Sequence, residues 1–99
     1  MSRSTTPRRR YLTLVELSHS VGIRQRHLVA LVEHGLVEPA GDNPSEWRFD
    51  EQATARLLRA LRLRRDLRIN TAGATLALDL LDELARLRAE LDRLRRLVD

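Results

Sequence analysis

Seven residues near the C-terminus, Ala77, Leu80, Leu84, Leu87, Leu91, Leu94 and Val98, are separated by alternating steps of three and four. On a helix that alternation draws one straight apolar seam, the a and d positions of a coiled coil. A lone helix leaves the seam in water, where each leucine forgoes roughly 1.5–3 kcal/mol of burial. The stripe therefore needs a second surface, and a second copy of the same helix is the simplest one. The chain is expected to form a homodimer through Leu80, Leu84, Leu87, Leu91, Leu94 and Val98. With Leu84 as position a, Glu83 and Glu90 take position g while Arg88 and Arg95 take e. A parallel pair would match acid to base across the seam, and an antiparallel pair would set like against like. Exposed pairs of this kind are worth only about 0–1 kcal/mol, so the strand direction stays open.

The chain has 99 residues, room for one small domain plus that helix, because short chains bury too small a share of their surface to support two cores. It contains no cysteine, which removes disulfides, thiolate metal sites and thiol nucleophiles and makes the cytoplasm the expected compartment. The opening MSRSTTPRRR is basic and polar with no apolar segment behind it, and no apolar run approaches the roughly 20 residues that span a bilayer. No membrane association is expected.

A net charge of +4 invites a nucleic-acid reading, but its placement decides more than its total. Arg3, Arg8, Arg9 and Arg10 lie in the first ten residues, which hold no acid; the remainder is balanced at 14 basic and 14 acidic residues. Between Tyr11 and Phe49 three arginines stand against five acids. From Asp50 to Arg68 six arginines stand against three acids, and from Ile69 to Asp99 five against six. The part that looks most like a DNA reader is thus the acidic one.

Residues 1–10 read as a disordered arm. Thr13 and Glu16 have capping-box spacing, and Leu14, Leu17 and Val21 share a face, so a first helix runs to about Ser20 and breaks at Gly22. A second, from about Arg24 to His34, turns Leu28, Leu31 and Val32 inward and is capped by Gly35: a helix-turn-helix. Turn formers Gly41, Asp42, Asn43 and Pro44 then separate two short extended pieces, which predicts a small β-hairpin wing with Trp47 and Phe49 pressed on the helices. Asp50 caps a third helix with Ala53, Leu57, Leu58 and Leu61 as its apolar stripe, ending near Asp66 or Leu67. Asn70 or Thr71 caps a last helix through about Val98. The expected organisation is an arm over 1–10, a winged helix-turn-helix body over 11–68 and a long coiled-coil-like helix over 69–99. The fold class is all-α apart from the wing.

No constellation for catalysis is apparent. His27 and His34 stand seven apart, too far for a chelating pair, and Asp79, Asp82 and Glu83 have no nucleophile or phosphate loop beside them. No enzyme activity, metal or cofactor is expected. Arg24, Gln25 and Arg26 have the chemistry to read base edges, with Arg48 on the wing, yet a solvated first turn explains them as well.

The Thr13-Leu14-x-Glu16-Leu17 start, the Gly22-Ile23 turn, Leu28 followed by Val32-Glu33-His34-Gly35-Leu36-Val37-Glu38-Pro39, and Trp47-Arg48-Phe49-Asp50 together resemble the winged helix-turn-helix of the MerR superfamily. The stretch LRLRRDLRINTAGATLALDLLDELARLRAEL narrows the resemblance to the CbpM chaperone modulators. That resemblance implies a protein that binds the J domain of a CbpA/DnaJ-type co-chaperone and inhibits its action with DnaK. It also implies a basic J-domain face, which Asp79, Asp82 and Glu83 would complement, with Arg62, Arg64 and Arg65 assisting through acids on the partner. DNA-binding MerR regulators follow the helix-two leucine with arginine and aromatics and carry basic wing tips. Here Leu28-Val29-Ala30-Leu31 and Asp42 and Glu46 stand instead, which argues against DNA because phosphate neutralisation supplies most non-specific affinity. The rival is a MerR-type DNA-binding regulator of the HspR kind, using Arg24, Gln25, Arg26 and Arg48.

Overall fold

A computed structural model describes residues 10–98; the expected basic arm therefore lies, except for Arg10, outside the described residues. Four helices follow in order, α1 (Leu14–Val21), α2 (Gln25–Glu33), α3 (Glu51–Leu67) and α4 (Thr71–Val98). Most of the boundaries have a local chemical cause. The Thr13 hydroxyl accepts from the Glu16 N–H at 3.1 Å while the Glu16 carboxylate accepts from the Thr13 N–H at 2.9 Å, the reciprocal capping box. Gly22 ends α1 in the left-handed conformation (φ 80°). After α2, Gly35 (φ 79°) lets the Leu36 N–H reach Leu31 O at 3.1 Å and the Gly35 N–H reach Val32 O at 2.9 Å, a Schellman turn that drives Leu36 inward beside Leu31. Asp50 caps α3 through the Ala53 N–H at 2.8 Å, and Asn70 caps α4 through the Gly73 N–H at 2.8 Å.

Leu17, Leu28, Leu31, Leu36, Val37, Trp47, Phe49, Leu57 and Leu78 form the buried core together with three alanines, Ala53, Ala60 and Ala74, and partly covered neighbours. Trp47 and Phe49 meet edge to face, their centroids 6.1 Å apart, and anchor the loop on the helices as their spacing predicts.

Two expectations change. The wing is not built as a strand hairpin: among the described residues the segment contains only two isolated antiparallel bridges, Ala40 with Arg48 and Leu12 with Phe49. Ala40 and Arg48 exchange hydrogen bonds across the turn, no bond between Glu38 and Asp50 continues that pair, and the outward-facing backbone of Phe49 exchanges hydrogen bonds at 2.8 Å with Leu12. The stripe of α3 is also rotated: Ala53, Leu57 and Ala60 are buried, Leu61 is half-buried and Leu58 is exposed. The reason is α4, whose first turns pack along α3 and bury Ala74 and Leu78.

The last two helices as a candidate partner surface

Beside their apolar contact, α3 and α4 are joined chiefly by one guanidinium. Arg56 on α3 donates from Nη2 to Asp79 Oδ1 at 2.8 Å, from Nη1 to Asp82 Oδ2 at 3.0 Å and from Nε to the backbone oxygen of Leu36 at 2.6 Å. Arg59 adds a looser pair to Asp82 at 3.6 Å. The i, i+3 spacing of Asp79 and Asp82 puts both carboxylates on the α4 face turned toward α3, so one arginine holds both. They remain open to solvent, with 64% and 55% of their side-chain surfaces exposed. Glu83 points elsewhere, paired with Arg86 on its own helix, and that hydrogen bond lowers its carboxyl below the ordinary value.

The structure therefore brings two of the three sequence-nominated acids together and adds Arg56 and Arg59, which sequence reasoning missed. The signal for them was present: two acids three apart on α4 and two arginines three apart on α3 are matched sets for facing helices.

Among the nominated bases, Arg62 is exposed, and Arg65 pairs with the adjacent Asp66 at 3.2 Å. Arg64 reaches α2, its Nη1 lying 3.2 Å from His27 Nε2. Arg24, Gln25 and Arg26 are exposed at the start of α2, beside a groove of about 540 Å³ shared with Val15, Ser18, His19 and Ile23. Arg48 is turned back to donate to the Trp47 carbonyl oxygen at 2.8 Å. The four are thus not gathered into one basic edge by any contact among the described residues.

The seam of α4 is bare. From Asp79 to Val98 every residue is exposed, and Leu80, Leu84, Leu87, Leu91 and Leu94 show 43–60% of their surfaces. Among the described residues no helix is long and apolar enough to cross a membrane.

Residues 12–96 match the family of MerR HTH regulatory proteins, so one family pattern covers the helix-turn-helix, the loop, α3 and nearly all of α4. The chaperone modulatory protein CbpM of Coxiella burnetii is 41% identical over 85 residues, covering 86% of this chain and 80% of the relative. The chain belongs to the CbpM family. Other CbpM proteins agree: that of Pseudomonas putida strain W619 is 42% identical over 80% of this chain and 78% of its own length, and that of Pseudomonas entomophila 46% over 64% and 62%. The CbpM match extends well beyond a helix-turn-helix alone, into the helix that carries Asp79, Asp82 and the seam.

Proposed function

We propose that this chain is a chaperone modulator that binds the J domain of a CbpA/DnaJ-type co-chaperone and inhibits its action with DnaK, working in the cytoplasm as a homodimer joined along α4. The carrying observation is the similarity to CbpM proteins over most of the chain, α4 included. The mechanism is occlusion without bond-making chemistry. Asp79 and Asp82, held in place by Arg56, meet basic side chains of the J domain; Glu83 extends the acidic edge along α4, and Arg62, Arg64 and Arg65 meet acids on the partner. A J domain covered in this way has its DnaK-facing surface blocked. The seam leucines Leu80, Leu84, Leu87, Leu91 and Leu94, with Val98, supply the dimer interface.

Titration of the purified chain against an isolated J domain and, separately, against a labelled inverted-repeat duplex tests this reading. Micromolar or tighter J-domain binding with no duplex shift supports it. A steeply salt-dependent operator complex lost on changing Arg24 and Arg26, with no J-domain binding, replaces it with the regulator reading.

A further inference from the structure

At the corner where α3 gives way to α4, Leu61, Arg64, Arg65, Arg68 and Ile69 line a groove of about 300 Å³. Three of the five side chains are guanidinium groups and the other two are aliphatic. Where α3 and α4 pack together or acids share a turn with them, arginines are neutralised by carboxylates: Arg56 and Arg59 by Asp79 and Asp82, Arg86 by Glu83, Arg93 by Glu90. Here only Arg65 has an acid within 4 Å, the exposed Asp66.

Arg64 is short of acceptors. Its Nη1 faces His27 Nε2, and its Nε is buried with no hydrogen-bond partner among the described residues. A buried donor without an acceptor is costly and marks a guanidinium that the described residues leave incompletely satisfied. Arg68 gives an independent sign. It is the one non-glycine with positive φ (54°) among the described residues, and it occupies the C-cap of α3 where glycine would fit without strain. A strained arginine at a position suited to glycine points to a use for its side chain. The negative end of the α3 dipole lowers the cost of gathering these cations before a ligand arrives.

We propose that this groove is a carboxylate-recognition site that receives an acidic, aliphatic-flanked segment of the partner protein. Leu61 and Ile69 form an apolar floor for the flanking side chains, and Ile69 is itself braced against Gly73, where even a Cβ would come within 3.3 Å. A nucleic acid is the poorer fit, since no aromatic ring lines the groove for base stacking and an acid stands beside Arg65. The inference rests on the J-domain reading only in naming which partner carries the segment; the groove's own chemistry is tested apart from it.

The probes are a fluorescein-labelled peptide Leu-Asp-Glu-Leu-Asp-Glu, its amide counterpart Leu-Asn-Gln-Leu-Asn-Gln, a labelled DNA duplex and the isolated J domain, each followed by anisotropy at low salt. The acidic peptide is expected to bind about tenfold more tightly than the amide one, and Arg64→Gln and Arg68→Gly each to weaken it by about tenfold. Arg68→Gly relieves backbone strain, so its Tm is expected to hold or rise by a few degrees while binding falls, which a merely structural arginine would not do. Equal binding of the two peptides, full binding by Arg68→Gly, or a clear preference for the duplex overturns the proposal. Arginine-dependent peptide binding by a chain that ignores the J domain removes the proposed function and leaves the groove; J-domain binding indifferent to Arg64 and Arg68 does the reverse.

Discussion

Arg56 makes contacts that no periodicity shows: one guanidinium joins the turn after α2 to two carboxylates on α4. Removing it leaves the Leu36 oxygen and both acids without their donor, so Arg56→Ala is expected to lower stability by about 1–3 kcal/mol in denaturant titration, whereas Arg59→Ala, with its single longer pair, changes little. Phe49 is fully buried where the loop meets the helices, and Phe49→Ala should cost about 3–5 kcal/mol by the same measurement. The Glu16 carboxyl is lowered from its ordinary 4.5 first by the Thr13 backbone N–H and then by the Thr13 hydroxyl. A depressed acid contributes stability that is full above its unfolded value and fades as pH falls through the folded one. Tm measured from pH 6 to pH 3 should therefore drop below about 4.5, and Glu16→Gln should flatten part of that drop. A slope unchanged by Glu16→Gln would assign the acid sensitivity to other carboxylates. Residue identity made this cap readable in advance, since Thr and Glu three apart need only local backbone to meet; for Arg56 the sequence showed the matching i, i+3 sets but not that the two helices face one another, its partners lying 20 to 26 positions away.

Among elements, the three capped helices of the body reproduce their expected limits to within a residue or two because capping and left-handed glycines are decided within one turn of chain. The loop between α2 and α3 is where the expectation failed. Alternating Trp47-Arg48-Phe49 reads as a strand, and it does send both rings inward, but its pairing is limited to isolated bridges, Arg48 with Ala40 on one side and Phe49 with Leu12 on the other. Gly41 is the fixed point of this loop: at φ 111°, an added Cβ would lie 2.6 Å from the Glu46 carbonyl oxygen. Gly41→Ala is expected to destabilise by more than Gly22→Ala, where the backbone is left-handed but nothing lies within 4 Å, and paired thermal melts check the order.

At the scale of the whole molecule, α4 has two lives along its 28 residues. Its first turns belong to the body through Ala74 and Leu78, while Asp79 to Val98 are all exposed, so none of the described residues covers the far seam. If a second copy covers it, Leu87→Asp with Leu91→Asp should convert the dimer to a monomer in sedimentation and lower the helical signal, because an uncovered helix of this kind is marginal in water. Wild-type chain that already sediments as a monomer at micromolar concentration would end the coiled-coil proposal. The own-helix pairs of Glu83 with Arg86 and Glu90 with Arg93 occupy the very acids that favoured a parallel pair, which weakens that preference further. The sequence by itself determined the helices, their caps and the bare leucine seam, since all three follow from interactions within one or two turns and from a period of 3.5. Only the tertiary structure decided which face of α3 is inward, that Asp79 and Asp82 share Arg56, and that three arginines gather in an acid-poor groove at the corner of α3 and α4, because each depends on how two helices lie against one another and burial has no reading in one dimension.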